Sequence, residues 1–246
     1  MDNQKKVALI TGSNRGLGFE TAKQLGEKGI TVIVTGRNQG VADETAAKLK
    51  ASGINAFGIQ LDVTNPSDRK AAAAFINEKF GKLDILINNA GVGPKGDFFV
   101  NKAVETDEEE FQYVFGTNVF SLVYITNELL PLLKASGYAR IVNLSSLLGS
   151  LGTHANPNGP FEEVKRLSYN ASKTALNAVT IHLAAELKKF GIKVNSADPG
   201  HAKTDMGGAG APMEISDGAR TSVELALIGE DGPTGKFIHL GEERPW

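Results

Sequence analysis

Tyr169 and Lys173 stand four positions apart in a segment, Ser168 to Phe190, whose pattern predicts a helix, so their side chains share one face. A free phenol has a pKa of about 10, too high to exchange a proton efficiently at neutral pH. A lysine ammonium close by favours the phenolate and should lower that value. The same spacing is also found in plain surface pairs, so the reading depends on what surrounds it. A second chemical feature is Thr11-Gly12-Ser13-Asn14-Arg15-Gly16-Leu17-Gly18, set between an apolar run, Val7 to Ile10, and an amphipathic segment with Phe19, Ala22 and Leu25 on one face. Glycines there let the backbone turn tightly and approach a pyrophosphate, and the helix that follows offers free N–H groups to it. The spacing is G-x-x-x-G-x-G, and a glycine turn taken alone is also a common way to reverse a chain.

The end of the second strand-like run addresses the choice of dinucleotide. Proteins that prefer NAD place an acid there to hold the ribose 2′-hydroxyl. Here the residues are Thr35-Gly36-Arg37-Asn38, with no acid. Arg37 and, in the glycine turn, Arg15 instead bring two guanidinium forks to one ribose, which suits a 2′-phosphate. Both could equally be solvated surface arginines; their joint placement makes NADP(H) the expected cofactor.

Elements to position these groups are legible along the whole chain. Val7–Thr11, Thr31–Thr35, Ala56–Leu61, Asp84–Asn88, Arg140–Ser145, Lys193–Ala197 and Lys236–Leu240 read as short strands. Between them lie helix-like segments near Val41–Lys50, Pro66–Phe80, Ser168–Phe190 and Ser216–Ile228. Thr106-x-x-Glu109 reads as a capping box that opens a long helix toward Leu133. Strands alternating with helices predict βαβ units, hence an α/β chain with a doubly wound, mostly parallel sheet of about seven strands and helices on both faces. One dinucleotide-binding and catalytic domain spanning 1–246 is expected, since no repeat or linker interrupts it.

Composition narrows the classes. The 246 residues are 41% apolar and 22% charged, ordinary for a globular protein. A formal charge of −2 lacks the basic footprint of a nucleic-acid binder. The chain has no cysteine, which excludes disulfides, thiolate zinc sites and thiol catalysis. Its four histidines, at 154, 182, 201 and 239, show no metal-ligand spacing, so no metal is expected. No apolar run approaches a membrane span, and the N-terminal one is too short for a signal peptide, so a cytoplasmic location without membrane partners is expected.

With these residues in order, the chain resembles the short-chain dehydrogenase/reductase superfamily in its single-domain branch. The resemblance covers nearly all of it: the Thr11–Gly18 turn, Asp62, Asn88-Asn89-Ala90-Gly91, Asn118, Ser146, Tyr169-Asn170-Ala171-Ser172-Lys173 and Pro199-Gly200. The tail, with Gly218-Ala219-Arg220-Thr221 and Pro245-Trp246, is similar to the NADPH-dependent carbonyl-reductase group. The resemblance implies a catalytic set of Asn118, Ser146, Tyr169 and Lys173, with Ser146 favoured over Ser145 because the second serine fits the pattern. It implies cofactor contacts from Gly12, Asn14, Arg15, Gly16, Leu17, Gly18 and Arg37. Asp62 and Val63 would touch the adenine, and Asn89, Ala90 and Gly91 would line the floor, in a role more structural than chemical. Tyr169, Lys173, Pro199, Gly200 and Thr204 would contact the nicotinamide half, Lys173 through the ribose hydroxyls and Thr204 through the carboxamide. Asn118 would hold a water linking Lys173 to solvent; the structural alternative is a helix distortion.

The implied activity is hydride transfer between nicotinamide and a carbonyl or alcohol, with small hydrophobic aldehydes, ketones or quinones as substrates. A 3-oxoacyl thioester reductase and a non-catalytic NADP(H) sensor are the alternatives; the intact Ser146, Tyr169 and Lys173 weigh against the sensor. An epimerase using the same tyrosine would need a larger C-terminal part. The stretch from Ser146 to Tyr169 is longer than the family's usual one, and the insertion near 153–167, with His154 and Phe161, is expected to border the substrate mouth and hinder helix-to-helix oligomerisation. A monomer or small homo-oligomer is therefore expected. The glycine-rich segment 204–218 is expected to act as a lid, and His201 stands where the group has an aromatic residue. Phe98, Phe99, Tyr113, Leu147 and Met206 are candidate pocket or core residues.

Overall fold

The computed structural model describes residues 5–95, 103–156, 158–159, 161 and 164–246. In chain order the elements are β1 (Val7–Ile10), α1 (Gly16–Glu27), β2 (Thr31–Gly36), α2 (Gln39–Ala51), β3 (Ala56–Gln60), α3 (Pro66–Phe80) and β4 (Ile85–Asn88). There follow α4 (Glu108–Phe115), α5 (Ser121–Ser136), β5 (Arg140–Leu144), α6 (Leu151–His154), α7 (Leu167–Leu187), β6 (Lys193–Ala197), α8 (Ile215–Ala226), β7 (Phe237–His239) and β8 (Glu242–Glu243). The strands form one sheet in the order β3-β2-β1-β4-β5-β6-β7-β8, parallel except for the last pair. That makes eight strands where about seven are expected; the extra one is a two-residue antiparallel return closed by Leu240 and Gly241, both at positive φ.

Parallel strands covered on both faces are apolar throughout, and successive residues divide between two cores. Leu9, Ile33, Leu86, Ile141 and Val194 point to one side, where α3, α5 and α7 supply Ile76, Leu129, Leu133 and Leu187. Ala8, Ile10, Val32, Val34, Ile85, Ile87 and Val142 point to the other, against Ala22 and Leu25 of α1, Leu49 of α2 and Val223 of α8. Strand order reverses between β1 and β4, and both strands deliver their carboxyl ends to the same edge. This is where an open α/β sheet leaves a crevice.

The expected capping box is displaced by one residue. Asp107, not Thr106, caps α4, its carboxylate accepting from Glu110 N at 2.8 Å. A carboxylate at a helix N-terminus makes a charge-assisted bond that a hydroxyl cannot match. The single long helix expected toward Leu133 is also interrupted. A π-helical turn, Gly116–Phe120, lies between α4 and α5, and Asn118 sits in it. Its side chain explains the wide turn: Asn118 Nδ2 donates to Val92 O at 2.9 Å and to Ser172 Oγ at 3.0 Å, while Oδ1 accepts from Val92 N at 2.8 Å. Inserting one residue into the helical ladder brings this amide to the chain beyond β4.

Candidate active site

A cleft of about 1180 Å³ opens along the carboxyl ends of the strands. Its first wall is the glycine turn. Gly12 has φ +61°, and a Cβ there would meet the Cα of Ala90 at 2.9 Å; a Cβ on Gly18 would meet Gly12 O at 2.6 Å. Asn89 locks the turn from below, its Nδ2 donating to Thr11 O at 2.8 Å and Gly12 O at 2.9 Å. The N–H groups of Asn89 and Ala90 both donate to Thr11 Oγ1 at 3.0 Å. The structural weight expected of Asn89 and Ala90 therefore has a visible basis. Helix α1 has no side-chain cap and no acid in its first turn, so its first N–H groups are left for a ligand.

Arg15 and Arg37 both line the cleft, at the end where β2 finishes. Arg37 is exposed and makes no ion pair among the described residues. Arg15 pairs with Asp205 of the opposite loop, each side chain 72% exposed. Asp62 lies beyond β3, where its Oδ1 accepts from Thr64 N at 2.9 Å and Thr64 Oγ1 at 2.7 Å. Asn14, Leu17, Val63, Gly91, Pro199, Gly200 and Thr204 line the same cleft. Thr204 Oγ1 is engaged within its own turn, accepting from Gly207 N at 3.1 Å. Segment 204–214 contains no helix, and α8 begins only at Ile215.

Ser146, Tyr169 and Lys173 meet on the second wall. Ser145 turns inward and donates to Asn177 Oδ1 at 2.7 Å, whereas the Ser146 hydroxyl is hydrogen-bonded to the Tyr169 side chain. Lys173, one helical turn from Tyr169, donates to Leu144 O at 2.7 Å. Asn118 lies behind this wall and does not face the cleft. Gly91 stands between the two, where a Cβ would be 3.3 Å from Asn118 Oδ1 and 3.6 Å from Lys173 Nζ.

The electrostatics differ from the expectation for Tyr169. Its phenol is pushed up to about 12, chiefly by burial, with the Ser146 hydrogen bond opposing and the Asp198 carboxylate adding to the rise. Lys173 is brought down to about 8 by burial. With its nitrogen held by a carbonyl and desolvated, Lys173 does not overcome the cost of a buried phenolate.

Beyond Leu148 the described part of the insertion folds back on the cleft. His154 Nε2 lies 2.9 Å from Leu148 O, and Phe161 and Val164 are on the cleft wall with Leu147, Leu148, Tyr113 and Met206. Phe98 and Phe99 lie outside the described residues. Among the lining residues that the sequence reading did not single out are Asp198, His239 and Arg244. Asp198 had a signal, a charge directly before Pro199 at the end of an otherwise buried strand. The other two arrive only through the return of β7 and β8. Among the described residues no group of His, Cys, Asp or Glu could hold a metal, and no helix is long and apolar enough to cross a membrane.

Residues 6–214 match the short chain dehydrogenase family. A short-chain dehydrogenase of Penicillium roqueforti is 38% identical over 231 residues, covering 92% of this chain and 90% of that one. The (−)-isopiperitenone reductase of Mentha piperita is 33% identical over 307 aligned positions, covering 97% of each. The crystal structure of NADPH-bound carbonyl reductase from chicken fatty liver superposes with a TM-score of 0.85 at 28% identity, covering 98% of this chain and 99% of that one. The chain belongs to the short-chain dehydrogenase family, oxidoreductases that use a nicotinamide cofactor on a carbonyl or alcohol group.

Proposed function

We propose that the protein is an NADP(H)-dependent carbonyl reductase, with Tyr169 as acid, Ser146 as hydrogen-bond donor to the substrate oxygen and Lys173 as their support. The observation that carries this reading is the bonded pair Ser146–Tyr169 beside Lys173, on the cleft that the glycine cradle opens. The cradle fits a dinucleotide: backbone comes close enough that a Cβ at Gly12 or Gly18 would clash, and α1 presents an uncapped N-terminus. Arg37 and Arg15, with no acid at the end of β2, favour the 2′-phosphate of NADP(H), for which Asp205 would have to release Arg15.

When bound, the reduced nicotinamide supplies hydride to a carbonyl carbon. The protein's part is then proton and charge management. A phenol held near 12 is fully protonated at neutral pH, the state needed to donate to the carbonyl oxygen as charge builds there. The Ser146 hydroxyl donates to the same oxygen. Lys173, near 8, is mostly charged at neutral pH and can return a proton toward the tyrosine, while Asn118 holds Val92 and Ser172 so that Lys173 keeps its place. The wall of Leu147, Leu148, Phe161 and Val164 would take the apolar part of a small aldehyde, ketone or quinone.

The test is initial-rate oxidation of NADPH and NADH against aromatic aldehydes, ketones and quinones, beside Tyr169→Phe. The expected result is turnover that favours NADPH and falls roughly 1000-fold in the variant. Tight NADPH binding with no consumption would instead favour a sensor.

A further inference from the structure

Asp198 directly follows β6 beside the reaction wall, and only 2% of it is exposed although it lines the cleft. Its two oxygens are used unequally. Oδ1 accepts from Leu147 N at 3.2 Å and from Gly200 N at 3.1 Å, holding together the chain after Ser146 and the loop after Pro199. Oδ2 accepts no hydrogen bond among the described residues. The cationic or potentially cationic groups near it, His239 Nδ1 at 3.7 Å and Arg244 Nε at 3.8 Å, stand beyond hydrogen-bonding distance. His239 Nδ1 is turned instead toward the main-chain oxygen of Asp198, at 2.9 Å.

Arg244 completes the pattern. Its side chain lines the same cleft, is 33% exposed, and makes no hydrogen bond among the described residues, with Nε itself buried. A carboxylate oxygen with an open lone pair and a guanidinium with open N–H groups thus form an ion pair at 3.8 Å with no hydrogen bond between them. Neither state is cheap in a partly desolvated cleft. One ligand group answers both. A hydroxyl donates to Oδ2, accepts from the guanidinium and adds no charge. A carboxylate would suit Arg244 but set its charge against Asp198, and an alkyl group would satisfy neither.

We infer that Asp198 and Arg244 form a hydroxyl-binding subsite, and that the substrates are carbonyl compounds carrying a hydroxyl close to the reacting carbon. The inference rests on the carbonyl-reductase reading and narrows it. Leu147, bonded to Asp198, directly follows Ser146, so the subsite adjoins the place where the carbonyl oxygen would sit. The apolar wall then takes the rest of the molecule.

The experiment compares kcat/KM for phenacyl alcohol, acetophenone and phenylglyoxylate with NADPH, in the native chain, Arg244→Met and Asp198→Asn. The native chain is expected to prefer phenacyl alcohol to acetophenone by at least about tenfold, since a site built to bond a hydroxyl discriminates against its absence. That ratio should shrink to about twofold or less in both variants. Preference for phenylglyoxylate, or a ratio unchanged in both variants, overturns the subsite. So does a loss of NADPH affinity with the ratio intact, which would turn the pair toward the cofactor. Calorimetric titration of phenacyl alcohol into the NADP⁺ complex separates this from the parent reading. Binding by the native chain that is lost in Arg244→Met sustains the subsite even without turnover, and no binding to the native chain refutes it.

Discussion

Tyr169 and Lys173 are each displaced toward the neutral form by burial, the phenol up to about 12 and the amine down to about 8. For the lysine this is a statement about stability. Below pH 8 it is charged in both the folded and the unfolded chain, and folding bears the full cost of burying the ammonium. Between pH 8 and the ordinary lysine value the folded chain has lost the proton while the unfolded chain keeps it. The unfolded state then binds more protons, so stability rises with pH across that window. The size is about 3 kcal/mol. Tyr169 acts oppositely and later, lowering stability only above about pH 10, where the unfolded phenol ionises first. Thermal melts of the ligand-free protein should therefore rise between pH 8 and 10 relative to Lys173→Met, by an amount equivalent to about 2 kcal/mol. Parallel curves for the two proteins would mean that Lys173 keeps an ordinary affinity for its proton. Sequence reasoning placed both residues on one helix face, since spacing alone does that. It expected the wrong direction for the phenol because burial, the main cause of the rise, and the nearby Asp198 carboxylate are set by the tertiary fold and not by helix spacing.

The glycine turn and the π turn show two degrees of legibility. The first is local: a strand end, glycines at fixed spacing and a helix start can be read directly. What holds it is not local. Asn89, brought from β4, donates both of its amide hydrogens to the turn. Asn89→Ala leaves two carbonyls without a side-chain donor and should cost about 1–2 kcal/mol in folding. It should also weaken NADPH binding roughly tenfold, because a looser turn must be ordered on binding. Equilibrium unfolding and cofactor titration measure the two effects, and an unchanged affinity would show that β1 and α1 fix the turn unaided. The π turn was legible only as an alternative: an asparagine in mid-helix suggested a distortion at Asn118, but neither its kind nor its cause could be read from Gly116–Phe120. Its cause is a bond to Val92, far away in sequence. The cap of α4 was misplaced by one residue for a simpler reason: Thr106 and Asp107 are both good caps, and the loop's approach selected the carboxylate.

Across the whole molecule, the sheet separates a chemical edge from a stabilising one. At the edge opposite the cleft, Arg140 is buried and donates to the carbonyls of Ile228, Gly229, Tyr138 and Ala139. It ties the start of β5 to the connection after α8. Arg140→Met would orphan these carbonyls and should lower stability by about 3 kcal/mol, or roughly 6–12 °C in Tm, with kcat of the folded enzyme unchanged. A variant that melts normally, or loses activity while folded, would contradict this division.

The sequence by itself determined the alternation of strands and helices, the family and the identity of the tyrosine, serine and lysine, because periodicity and motif spacing are local properties of the chain. Only the tertiary structure decided what each group meets. His239 and Arg244 reach the cleft from segments with no motif, Asp198 owes its partners to the loops it ties together, and the proton affinities of Tyr169 and Lys173 follow from how completely those meetings exclude water.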